Sequence, residues 1–174
     1  MAIDIDEPIE VATYDPRWPV WYEDDAAEIR RALGDRLRTI EHFGSTAVVG
    51  LVAKPIIDVL VAPIDWPLAL QDRRTLESLG YEYVGEAGVS GREYFRRRGG
   101  HATNLAIVEW NGSLWRDNIA VRDYLRSHPE VATRYARAKQ RAWSDGARTL
   151  LRYSAAKGAD VAALVADARS WQAG

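Results

Sequence analysis

The chain has 174 residues, 47% of them hydrophobic and 28% charged, with a formal net charge of −2. That balance suits an ordinary globular protein with a substantial core, and it argues neither for a nucleic-acid platform nor for a membrane-surface protein. With no cysteine there is no disulfide, no thiolate metal site and no thiol nucleophile. The acidic opening MAIDIDEPIE lacks the apolar centre of a secretory leader, and no apolar run is long enough to span a bilayer. The cytoplasm is therefore the expected compartment, with no membrane partner. Seven tryptophans predict a well-packed core. Among 23 basic residues only Lys54, Lys139 and Lys157 are lysines.

In chain order, Asp15-Pro16 reads as a helix start, a capping aspartate followed by proline at the first helical position. Ile29, Leu33 and Leu37 continue at helical spacing, and Gly34 ends or bends that helix. Residues 39–43 read as a short strand entering the turn Gly44-Ser45-Thr46. Residues 55–61 are β-rich and apolar except for Asp58, as expected of a strand covered on both faces. Residues 68–79 read as a helix closed by Gly80, with a strand in YEYV after it. REYFRRR and ATNLAIVEW, joined through a Gly-Gly turn, read as an antiparallel hairpin. Alternation puts Arg92, Tyr94, Arg96 and Arg98 on one face, and the run reads as a sheet edge blunted by charge.

Beyond Asn111-Gly112 the pattern becomes helical, with Ser113 as a cap and breaks near His128-Pro129, Asp145-Gly146 and Gly158. Val161, Leu164, Val165 and Ala168 form an apolar stripe in the last helix. The whole reads as one α+β (α/β-like) domain over 1–174, a mixed core in 1–112 and a helical part in 113–174.

Asp58 carries the chemical question. An ionised carboxylate in a buried strand is costly unless it is paired, hydrogen-bonded or bound to a cation. Loop amides, an arginine, or Mg²⁺ beside a phosphate could each hold it. The Gly44-Ser45-Thr46 turn favours phosphate, because glycine permits close approach and successive N–H groups and hydroxyls grip its oxygens. Lys54, a mobile point charge, precedes Asp58 by four residues. His42 could contact phosphate or move a proton, or it could be a half-buried histidine that fixes the turn. Arg92 and Arg96 are the candidates for bidentate phosphate contacts from the hairpin. Lys157, one turn after Tyr153, is the tail residue placed at a substrate.

The stretch EHFGSTAVVGLVAKPIIDVLV resembles the signature of the GrpB family, also known as UPF0157. YDPRWP, the LGY at 79–81, VRDYLRSHPEVATRYARAK and YSAAKGADV are similar to further family segments, in order along nearly the whole chain. The resemblance implies a nucleotidyltransferase-like fold: a small mixed β-sheet flanked by helices, with a C-terminal helical layer. It implies that Gly44, Ser45 and Thr46 hold phosphates and that Asp58 is the catalytic and metal-binding carboxylate, with His42 near it. Mg²⁺ or Mn²⁺ is the implied ion, and the implied substrate is a small molecule, of nucleotide type; nucleic acid is not expected, on the near-neutral charge balance alone. Against a metal, Leu60 stands where a second carboxylate is expected, and Asn104 and Ala106 stand where the family often has histidines. A metal-independent enzyme of a specialised pathway, or a non-catalytic module binding a nucleotide or CoA-type ligand, are the alternatives.

Overall fold

The computed structural model describes residues 5–174; residues 1–4, part of the opening read as leader-free, lie outside the described residues. Helix α1 (Trp18–Leu33) begins later than the Asp15-Pro16 reading places it. The Asp15 carboxylate accepts the Arg17 amide at 2.9 Å and the Arg17 guanidinium at 2.6 Å, so it orders the approach to the helix without capping it. Pro19 takes the first-turn position, where a missing N–H costs nothing. Gly34, at φ 54°, ends the helix, and a short 3₁₀ turn leads into β1 (Leu37–Phe43).

Strand β2 (Ile56–Pro63) follows the Gly44-Ser45-Thr46 turn, and α2 (Leu70–Ser78) leads to β3 (Glu82–Gly85). Strands β4 (Arg92–Arg97) and β5 (Ala102–Val108) form the expected hairpin. The sheet order is β1-β2-β5-β4-β3, antiparallel throughout except for the central β2·β5 pair, which is parallel. β4 is therefore an interior strand and not the edge its charges suggested. Those charges are tolerated because they are paired: Arg96 with Glu82, Arg97 with Glu28 and Asp25, and Arg98 with Glu7.

The register sorts the side chains into two faces. Ile57, Val59, Val61, Leu105 and Ile107 point to one side, where they pack with Ile29 and Leu33 of α1 and Leu76 of α2 at 0–1% exposure. Each such side chain contributes about 1.5–3 kcal/mol relative to leaving it in water. Leu60, Ala62, Ala106 and Val108 point to the other side against Trp115 of α3 (Ser113–Ser127). Gly112, not Ser113, holds the cap position of α3. Three more helices follow: α4 (Pro129–Ser144), α5 (Leu150–Ala156) and α6 (Gly158–Ala173). Of the apolar stripe expected in α6, Leu164 and Ala168 are buried while Val161 is exposed. No helix among the described residues is long and apolar enough to cross a membrane.

A lysine-ringed candidate site beneath the glycine turn

Gly44 adopts φ 69°, ψ −167°, a conformation essentially confined to glycine. A Cβ at this position would fall 2.6 Å from Oδ2 of Asp58. The chain therefore passes directly over the carboxylate, and Ser45–Ala47 curl into a 3₁₀ turn beyond it. Beneath the turn is a pocket of about 160 Å³. Whole-ligand pockets run to about 300–1,000 Å³, so this one has room for phosphate groups but not for a nucleobase.

Asp58 is paired across the parallel ladder with Asn104, whose Nδ2 donates to Oδ1 of Asp58 at 2.8 Å. The Asn104 amide is itself fixed. Its Oδ1 accepts from the Arg98 guanidinium at 2.9 Å, and Arg98 is anchored by Glu7 at 2.6 Å. This relay orients the carboxylate without placing a second negative charge beside it.

The other walls are cationic and aromatic. Lys54 comes from the approach to β2, Tyr135 and Lys139 from α4, Tyr153 from α5, and Lys157 from the α5–α6 junction. Lys139 is 2% exposed and donates to the Val52 carbonyl at 2.7 Å. Its ammonium lies 5.0 Å from the Tyr135 ring centre, and that of Lys157 lies 4.4 Å from the Tyr153 ring. Burial, followed by the Lys157 charge, holds Lys139 well below the usual lysine range. Burial and then Lys54 bring Lys157 down to about 8, against the pull of Asp58 in the opposite direction. Lys54 is lowered by burial as well. Three amines share one carboxylate, and a further negative charge in the pocket would relieve all of them. Tyr135 is pushed up to about 12 by burial, and the buried Tyr153 hydroxyl has no hydrogen-bond partner among the described residues.

Comparison with known proteins gives this geometry a family. The model described as "GrpB protein" matches residues 8–167. The chain belongs to the GrpB family. A crystal structure of GrpB from Enterococcus faecalis superposes with a TM-score of 0.84 at 31% identity, covering 93% of this chain and 99% of that one. A UPF0157 protein of Pseudomonas aeruginosa is 37% identical over 77% of this chain and 57% of its own length. The UPF0157 protein YqkA of Bacillus subtilis is 27% identical over 95% of this chain, which spans only 49% of that relative. The Cid1 poly(U) polymerase, at a TM-score of 0.50 and 14% identity over 79% of this chain and 43% of that one, shares the nucleotidyltransferase-like fold.

Within this GrpB chain the structure brings together Gly44, Ser45, Thr46, Lys54, Asp58 and Lys157 in one pocket. It does not bring His42 there. The β1·β2 register sets His42 opposite Val59, on the sheet face away from Asp58, where it stacks on Tyr22 at 4.7 Å. Its Nε2 is 2.9 Å from Thr46 Oγ1, and burial, with the Arg126 and Arg122 charges, brings it down to about 4. At neutral pH it is an uncharged imidazole buttressing the turn from behind. Arg92 and Arg96 share Asp58's face but do not line the pocket. Arg92 lies over the Tyr94 ring and donates to the Glu86 and Ala87 carbonyls, and Arg96 pairs with Glu82 and Glu7.

Tyr135, Lys139 and Tyr153, which the sequence reading noted only within family-like segments of the tail, are pocket residues that it did not assign to the site. A signal for them exists: YARAK at 135–139 and YSAAK at 153–157 repeat one Tyr-x-x-x-Lys spacing, and both put the lysine over its own tyrosine. Arg98 and Asn104 carry no such signal, because their role depends on which strands become neighbours.

For a divalent ion the donor set is sparse: among the described residues Asp58 is the one carboxylate lining the pocket, and no group of three or more His, Cys, Asp or Glu side chains is placed to hold a metal. Two-ion phosphoryl chemistry needs shared anionic ligands, and the neighbours here are ammoniums.

Proposed function

We propose that this chain captures the phosphate groups of a nucleotide-type small molecule beneath the Gly44-Ser45-Thr46 turn and transfers a phosphorus-centred group, with lysine ammoniums taking the place of divalent ions. One observation carries the reading: all three lysines of the chain line this single pocket, while arginine serves the ion pairs of the sheet. Lysine is the cation whose compact charge and movable pKa suit a shifting anionic partner. In a nucleotidyl transfer an acceptor hydroxyl attacks the α-phosphorus and its proton passes to Asp58. The bond to the bridging oxygen breaks, and pyrophosphate leaves with the electron pair. Lys54 and Lys157 meet the charge on that leaving group, a task given elsewhere to metal ions.

A second reading, a phosphate-binding accessory module without turnover, is favoured by the tethering of Asp58 to Asn104 and of Lys139 to Val52. Thermal melts with pyrophosphate, nucleoside triphosphates and CoA, in EDTA and in Mg²⁺, test the binding that both readings share. A ligand at a hundred times its Kd adds about 2.7 kcal/mol, which raises the Tm of a chain this size by about 5–10 °C. The shift is expected in EDTA, is lost in Lys157→Met, and is weakened by Mg²⁺, which competes for the phosphate oxygens. No shift with any phosphate compound would sink both readings. Release of pyrophosphate from a triphosphate that binds separates transferase from module.

A further inference from the structure

A second and larger cleft, about 750 Å³, adjoins the lysine pocket at Thr46, which lines both. The two are divided by α4: Tyr135 and Lys139 face the first, while Ala132, Ala136 and Arg137 face the second. Its volume falls within the range of pockets that hold whole small molecules. The floor is apolar and firm, with Val48, Leu51 and Leu125 only 2–3% exposed, and the small side chains of Ala132 and Ala136 leave the space open. The imidazole of His42 at its inner end is uncharged at neutral pH and so does not oppose an apolar occupant.

Among the described residues, the charged groups lining the cleft are of one sign: no carboxylate lines it, whereas Arg126 and Arg137 both do. Arg126 is partly engaged, donating to the Ala47 carbonyl at 2.9 Å with Asp123 at 3.9 Å. Arg137, exposed at the rim, makes no ion pair within 4.0 Å among the described residues, although it also lines the next cleft along α4, where Asp160 and Asp167 stand. A guanidinium over an apolar floor calls for a bidentate anionic partner.

We propose that this cleft binds a small amphipathic acid, its apolar body over Val48, Leu51 and Leu125 and its carboxylate on Arg137, with Arg126 beside it. The inference goes beyond the phosphate reading and does not depend on it. Calorimetric titration with 4-phenylbutyrate, and with the uncharged 4-phenylbutyramide, tests it. The acid should saturate at one per chain, the amide should bind about tenfold more weakly, and Arg137→Gln should remove that preference. Thr133→Trp, at an exposed position lining the cleft, should block the acid by filling the space; if that variant does not fold, the acid–amide comparison in Arg137→Gln still decides. Saturating pyrophosphate should leave the acid bound. Absence of saturation, equal affinity for acid and amide, or displacement by pyrophosphate, which would put the acid in the lysine pocket, would each overturn the proposal.

Discussion

The turn over Asp58 yields the sharpest stability test. In Gly44→Ala the new Cβ meets Oδ2 of Asp58 at 2.6 Å and both Cβ and Cγ at 3.2 Å, while the backbone holds φ 69°. Confining alanine to that glycine-only region costs about 1–3 kcal/mol. The carboxylate can yield only by swinging away from Asn104, and giving up a charge-assisted hydrogen bond of this kind costs about 1.5–3 kcal/mol. The sum, about 2.5–6 kcal/mol, is a large fraction of a typical domain's stability. Urea unfolding of wild type, Gly44→Ala, Asp58→Ala and the double variant closes a thermodynamic cycle. Removing the carboxylate relieves the clash but not the backbone strain, so Gly44→Ala should cost about 1.5–3 kcal/mol less in the Asp58→Ala background. An unchanged cost in that background would show that turn and carboxylate do not press on one another. A loss below about 0.5 kcal/mol in the single variant would refute the conformational argument as well.

Two further predictions concern pH. Lys157 titrates near 8 in the folded chain against the ordinary 10.5. The unfolded chain therefore binds more protons between those values, and stability climbs by about 3 kcal/mol as pH rises through that window. Lys157→Met should be more stable than wild type at pH 7 by up to that amount, with the advantage gone by pH 10.5. A difference curve that is flat with pH would refute the assignment. His42, near 4 against the ordinary 6.5, contributes stability that is complete above pH 6.5 and is lost as pH falls toward 4, again by about 3 kcal/mol. In His42→Gln the acid limb of the stability curve should shallow accordingly, and an unchanged limb in urea titrations would assign acid sensitivity to other groups.

Much of the site was legible in the chain because its signals are local. Asp58 stands out as the single charge in an apolar strand, and Gly44 as a glycine where two elements must meet. The readings that shifted depend on pairing. His42 lies two residues from Gly44, yet its face is decided by the β1·β2 register, which sets it opposite Val59. The arginines of β4 looked like edge protection because sequence order cannot reveal that the short β3 strand closes over them. Asp15 looked like a cap because the aspartate-proline pair usually is one, but the Arg17 guanidinium competes for the same carboxylate. Asn104 occupies a place where the family resemblance led us to expect histidine, and only the parallel β2·β5 ladder shows what it does, which is to hold Asp58.

The sign of the charge ties these particulars together. A metal-dependent nucleotidyltransferase site is a cluster of carboxylates that attracts cations, and the cations in turn attract phosphate. Here the relay from Glu7 through Arg98 and Asn104 supports one carboxylate without adding another, and three amines surround it. On the reading proposed above, such a pocket would take up a phosphate directly, without an intermediary ion. The arrangement is destabilising when empty of anions, since Lys139 and Lys157 are both held below their ordinary range mainly by burial, with a neighbouring lysine adding to it. A bound phosphate would reverse that cost by restoring the protonated form of each amine. Binding should then take up protons at pH 8 and above, a behaviour that a carboxylate–metal site, which gains phosphate without changing the protonation of its ligands, would not show.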